Sequence, residues 1–187
     1  MSSDTHAVRP GGPRAPDLWR AWERTAGYVA RHVHQDVAVS LTWNAAGPSA
    51  PWMAQFTWAN NNEFAGGHAS PGEALVALWQ QIEAGYAIFE SQSDAGHAPR
   101  GYPPDYWFQE AEHAIMDRLM RLAVDRYDPP ATLVIAYHPL GSPESRSQAR
   151  LISHSNAPTV GGQGATLLDA CRDLYRQAAL KLGTKEE

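Results

Sequence analysis

The chain contains a single cysteine, Cys171, in 187 residues. A lone thiol excludes an intramolecular disulfide and a thiolate metal cluster, and it suits a reducing compartment, so a cytoplasmic location is expected. A basic surplus is lacking too, since the net charge is −5 and the sequence pI about 5.9. That argues against general affinity for phosphate backbones, which clustered Lys and Arg supply, and leaves only a local basic patch. Long apolar runs are missing as well. The opening MSSDTHAVRPGGPRAP is polar and broken by Pro and Gly, which gives neither a secretory core nor a membrane span. It reads as a flexible tail over residues 1–16, and no membrane partner is expected.

What is present is enough apolar material for a core. Hydrophobic residues make up 43% against 19% charged, which places the chain in the globular class rather than the disordered one. A second break, SQSDAGHAPRGYPP, has no apolar period and ends in two prolines. It divides the chain into a first unit over 17–90, a linker over 91–104, a second unit over 105–182 and a short tail over 183–187.

Each unit opens on a helical period. Leu18, Trp22, Thr25, Val29 and Val33 fall three or four apart, as do Phe108, Ala111, Ile115, Leu119, Leu122 and Tyr127. Alternating runs follow: Val37, Val39, Leu41 and Trp43 share one strand face, and Ala131, Leu133, Ile135 and Tyr137 share its counterpart. Turn residues and a second strand, WMAQFTWA or QARLISHS, complete a hairpin in each unit. The two units align. Val37 and Ala131, Leu41 and Ile135, and Gly47 and Gly141 all differ by 94, while after the hairpin turn Phe56 and Ile152, Ser70 and Thr166, and Trp79 and Tyr175 differ by 96. One two-residue insertion in the turn accounts for the change, at little cost in loop closure. The expected architecture is α+β: a duplicated α-β-β-α unit forming one four-stranded antiparallel sheet, with helices packed on one face.

The corner GGHASPGEALVALWQQ and its later partner GQGATLLDACRDLYRQ have a structural explanation. Ser70 and Thr166 stand at helix N-cap positions, with Glu73 and Asp169 three residues on, as in a capping box. No P-loop lysine follows and the dinucleotide-binding glycine spacing is missing. The letters SPGEAL, Ser70 to Leu75, resemble the hairpin-to-helix corner of HicB-type antitoxin domains. That resemblance implies a dimerising, partner-binding module and transfers no functional residue.

Catalytic spacing is absent throughout. The eight histidines form no HxxxH or HExxH, no GxSxG surrounds a serine, and no metal or cofactor is expected. His113 and Asp117 share a helix face that reads as charged and solvated. The sheet face turned from the helices is more informative: Ala38, Ser40, Thr42, Gln55 and Thr57 in one unit, and Thr132, Val134, Ala136 and His138 in the other, with Ala149 and Ser153 if register holds. Such small neutral side chains admit a second surface. The 96-residue register also sets Arg150 and His154 against Ala54 and Trp58, a gain of hydrogen-bonding chemistry in the second unit. His138, Arg150, His154 and Asn156 are therefore the candidate binding residues. The expected function is a non-enzymatic interaction or assembly module with a homo-oligomeric or protein partner. A single-stranded nucleic-acid binder using the second hairpin, its Arg146, Arg150 and His154 making it locally basic, is the alternative. An enzyme using His138 and His154 is a second one.

Overall fold

A computed structural model describes residues 18–46, 51–85 and 108–183. The expected tail 1–16, the linker 91–104 and all but the first residue of 183–187 lie outside the described residues. The elements run α1 (Leu18–His32), β1 (Val37–Asn44), β2 (Trp52–Trp58), β3 (Asn61–His68) and α2 (Pro71–Gly85). The second half repeats that order as α3 (Glu110–Asp125), β4 (Thr132–Tyr137), β5 (Ser147–Ile152), β6 (Val160–Gly164) and α4 (Leu167–Leu182).

The strands form one antiparallel sheet in the order β3-β2-β1-β4-β5-β6, six strands where four were expected. The extra strands are the segments NNEFAGGH and VGGQG, which take in the leading glycines of the two corners. Glycine carries no Cβ, so alternation is invisible wherever it occupies a strand. Of the glycines in these two strands, only Gly67 has a left-handed backbone: at φ 80° it forms a bulge where the β2–β3 register slips between Trp52 and Met53.

The halves meet along β1 and β4, where Leu41 faces Ile135. On either side, Val39 faces Tyr137 and Trp43 faces Leu133. Because Val39 and Leu133, and Trp43 and Tyr137, each differ by 94, the pairing maps onto itself under an approximate twofold through the Leu41–Ile135 pair.

Alternate residues of β1, β2, β4, β5 and β6 turn to one face, while β3 buries only Ala65. Val37, Val39, Leu41, Trp52, Ala54, Phe56, Leu133, Ile135, Ala149 and Leu151 join the helices in one core cluster. Trp19 and Trp22 of α1 are fully buried, each contributing roughly 2–3 kcal/mol. Phe108, just ahead of α3, stacks on Trp19 at 6.1 Å and so ties the start of the second half to α1.

The caps follow from local chemistry. Ser70 Oγ accepts from the Glu73 N–H at 3.3 Å, and Thr166 Oγ1 accepts from the Asp169 N–H at 3.2 Å while donating to Asp169 Oδ2 at 2.7 Å. Asp169 thus reaches the cap hydroxyl rather than the cap amide. α3 has a box that the sequence reading placed elsewhere: Gln109 is its N-cap, and Glu112 accepts from the Gln109 N–H at 3.1 Å.

Candidate functional site

The strand register relocates the second hairpin's chemistry. Ala54 faces Leu41, and Ala149 faces Ile135, so these two alanines are the equivalent pair and differ by 95 rather than 96. The first hairpin loop is one residue longer in the second half, the next loop is two longer, and the Gly67 bulge returns one to the first half. A slip of one residue exchanges the faces of a strand. Arg150 therefore stands where Gln55 does, not Ala54, and Ala149 is fully buried among the helices instead of lying on the open face.

That open face carries Ala38, Ser40 and Thr42 on β1, and Val134 and Ala136 on β4, all half-buried by their neighbours. Met53, Gln55 and Thr57 extend it on one side, and Gln148, Arg150 and Ile152 on the other. Phe64 on β3 is 59% exposed at its margin. Among the described residues no helix lies over this face, because all four contribute to the core on the opposite side.

The four candidate residues are strung along the sheet rather than gathered. His138 follows β4, where its N–H donates to the Arg146 carbonyl at 2.8 Å. Arg150 faces Val134 in mid-strand, and its guanidinium donates to Gln148 Oε1 at 3.1 Å. His154 lies at the other end, 2.6 Å from Thr132 Oγ1. Thr132 and His138 are six positions apart along the chain, which is about 20 Å of strand. Asn156 is exposed in the β5–β6 loop. His138 and Arg150 thus share one region while His154 and Asn156 belong to another, and the two histidines are not placed to act on one reacting atom. Burial, then the Arg150 charge, hold the His138 pKa below its ordinary value, with Asp36 opposing.

Two polar features on the helix side escaped the sequence reading. Glu112 is fully buried and accepts from Arg20 at 3.0 Å. Arg20 also bridges Glu23 at 2.6 Å, and Glu23 accepts from Trp19 Nε1 at 2.9 Å. Tyr127, read only as apolar, donates its hydroxyl to the Pro158 carbonyl at 3.1 Å and so pins the β5–β6 loop. Among the described residues no three His, Cys, Asp or Glu are grouped as a metal site, and no helix is long and apolar enough to cross a membrane.

Cys171 is fully buried beside Ala170 and Leu174, and burial foremost, with Glu112 second, pushes its thiol up to about 12 from 9.0. A thiol so placed is expected to resist a disulfide reagent at pH 8 and to react fully once urea unfolds the chain. The folded pKa lies above the unfolded one, so this contribution to stability is intact below about pH 9 and lost as the pH rises towards 12. Fast labelling of the folded protein at pH 8 would contradict it.

No protein-family model matches the chain, and neither the curated proteins nor the solved structures include a significant match.

Proposed function

We propose that the protein is a non-enzymatic interaction module that docks another protein surface on its open sheet face. The observation that carries this reading is a six-stranded sheet with four helices on one face and, among the described residues, nothing on the other. The centre of that face is built from Ala38, Ser40, Thr42, Val134 and Ala136. Solvated sheet faces are ordinarily polar, with long charged side chains, whereas short neutral ones let a second layer approach to about 10 Å. Nucleic-acid stacking fits less well, because Trp52 and Trp58 are buried in the core and Trp43 and Tyr137 pack against it.

The self-mapping of the β1–β4 pairing and the repeated capped corners support descent from a duplicated α-β-β-β-α unit. A single such half would end in an unpaired β1 edge, and joining two halves there removes both exposed edges at once.

Ala136→Arg tests the docking reading, since it places a long cation at the centre of the face without entering the core. The complexes formed by the wild-type chain, with itself or with another protein, are expected to be lost while the circular dichroism and unfolding midpoint stay unchanged. A folded variant that keeps those complexes would sink the reading.

A further inference from the structure

The two outer strands of the sheet present different edges. On the β1 side of β2 the Ala59 N–H donates to the Asp36 carbonyl at 3.2 Å, so by alternation Trp58, Phe56 and Ala54 turn their main-chain groups to β3. Their partners Asn61, Glu63 and Ala65 are satisfied there, and Asn62, Phe64 and Gly66 direct their N–H and C=O groups outwards. Among the described residues none of these three amides donates a hydrogen bond.

At the opposite edge, the His138 N–H donates to the Arg146 carbonyl, which by the same alternation makes Gly161 and Gln163 the outward residues of β6. The Gln163 N–H donates to Asp173 Oδ2 of α4 at 3.2 Å, so a carboxylate covers that edge. Charges over an outer strand guard it against strand addition. The 96-residue offset of the capped helices puts Ala77 of α2 where Asp173 stands, and β3 has no such guard. Its only carboxylate, Glu63, is turned to α2, where it accepts from Gln81 Nε2 at 2.7 Å. At the middle of the unguarded edge stands Phe64, 59% exposed.

We infer that β3 is a self-pairing edge, along which two copies of the chain join antiparallel about a twofold axis through Phe64 and perpendicular to the sheet. In that register Phe64 faces its own counterpart, and Asn62 faces Gly66 of the other copy. Each of these facing pairs exchanges two hydrogen bonds, so all the outward main-chain groups of Asn62, Phe64 and Gly66 are satisfied at once. The two phenyl rings, on Cα atoms about 5.5 Å apart, cover each other. Glu63 faces Ala65 of the other copy, so no like charges are opposed. An axis through Glu63 would set that carboxylate against itself, and one through Ala65 would carry Asn62 past the Gly67 bulge to His68. The contact is isologous and closed, and it joins two six-stranded sheets edge to edge.

This contact is separate from the open face. Ala136 lies on β4, with β1 and β2 between it and β3, so Ala136→Arg leaves the edge dimer intact and the losses expected of that variant concern the complexes of the face.

The test is the mass of the full chain by sedimentation equilibrium, joined to hydrogen exchange at single amides at two protein concentrations. A dimer is expected. Above its dissociation constant the Asn62, Phe64 and Gly66 amides are expected to exchange about tenfold or more slowly than below it, with Gly161 on β6 unchanged. Phe64→Lys opposes two cations across the axis and Ala77→Asp copies the guard of β6, and each is expected to weaken the dimer about tenfold or more. Phe64→Leu keeps an apolar contact and every main-chain bond, and is expected to stay within about threefold of the wild type. Circular dichroism identifies any variant that unfolds, and Phe64→Ser then serves as a milder replacement with a smaller effect in the same direction. A monomeric wild type overturns the inference, as does a dimer whose β3 amides exchange alike at both concentrations. A dimer lost on Ala136→Arg and indifferent to Phe64→Lys overturns the edge contact and leaves the docking role of the face standing.

Discussion

Gly162→Ala is expected to destabilise the fold by about 3 kcal/mol or more, lowering its melting temperature by on the order of 10 °C. Gly162 sits on the helix side of β6, opposite Ala149. A Cβ there would lie 2.1 Å from the Leu174 nitrogen and 2.6 Å from the Ala170 carbonyl oxygen, both in the backbone of α4. No rotamer change relieves such an overlap; the helix must move off the strand. Gly164 enforces the same approach, since its Cβ would be 2.5 Å from Asp169 Cβ and 2.7 Å from the Ala170 nitrogen.

The neighbouring Gly161 provides the control. Its added Cβ would meet nothing nearer than Arg150 Cγ at 3.7 Å, so Gly161→Ala is expected to be neutral or slightly stabilising, because alanine loses less chain entropy in a strand. Urea midpoints of the two variants decide the matter. Equal midpoints would show that α4 does not rest on β6 as described. The first half makes the same comparison naturally: Ala65, opposite Ala54, stands where Gly162 stands, so α2 must leave room for a methyl that α4 excludes.

These glycines also explain what the sequence could and could not disclose. Apolar alternation in VAVSLTWN and ATLVIAYH identified β1 and β4 and their symmetric relation, because large side chains display the face they occupy. Ser70 and Thr166 were legible as caps because capping depends on neighbours three residues away. The strands β3 and β6 were not: Gly162 and Gly164 of β6 serve a contact with α4 that local pattern cannot show, and Gly66 and Gly67 of β3 stand at a bulge with no side chain to display a face. The register error had a related cause: three small length changes, in two loops and at the Gly67 bulge, sum to the same shift as a single insertion. That sum misplaced Arg150 onto the core face and Ala149 onto the open one. With the register corrected, Arg150 remains a difference between the halves, now as a cation in place of Gln55 rather than a polar residue in place of Ala54.

Glu112→Ala is expected to cost about 3–5 kcal/mol, the usual consequence of removing one member of a buried ion pair. Glu112 lies on the same helical stripe as Ile115, Met116 and Leu119, all buried. A carboxylate is tolerated at that position because Arg20 of α1 meets it at 3.0 Å and the Gln109 N–H donates to its other oxygen at 3.1 Å. Alanine removes both acceptors, leaving the cap amide of α3 without this partner and Arg20 without a carboxylate that faces it across the two halves. The loss would be a large share of an ordinary domain's stability of about 5–15 kcal/mol. Glu112→Gln keeps the shape and an acceptor but not the charge, so a smaller loss is expected. The decisive comparison is a cycle with Arg20→Met. If the pair fixes how α1 and α3 meet, each single change is costly and the double change Arg20→Met with Glu112→Leu recovers much of the loss, since apolar replacements of a buried pair are often neutral or better. Additive losses would mean that the two residues act separately, Glu112 through its cap and Arg20 through Glu23.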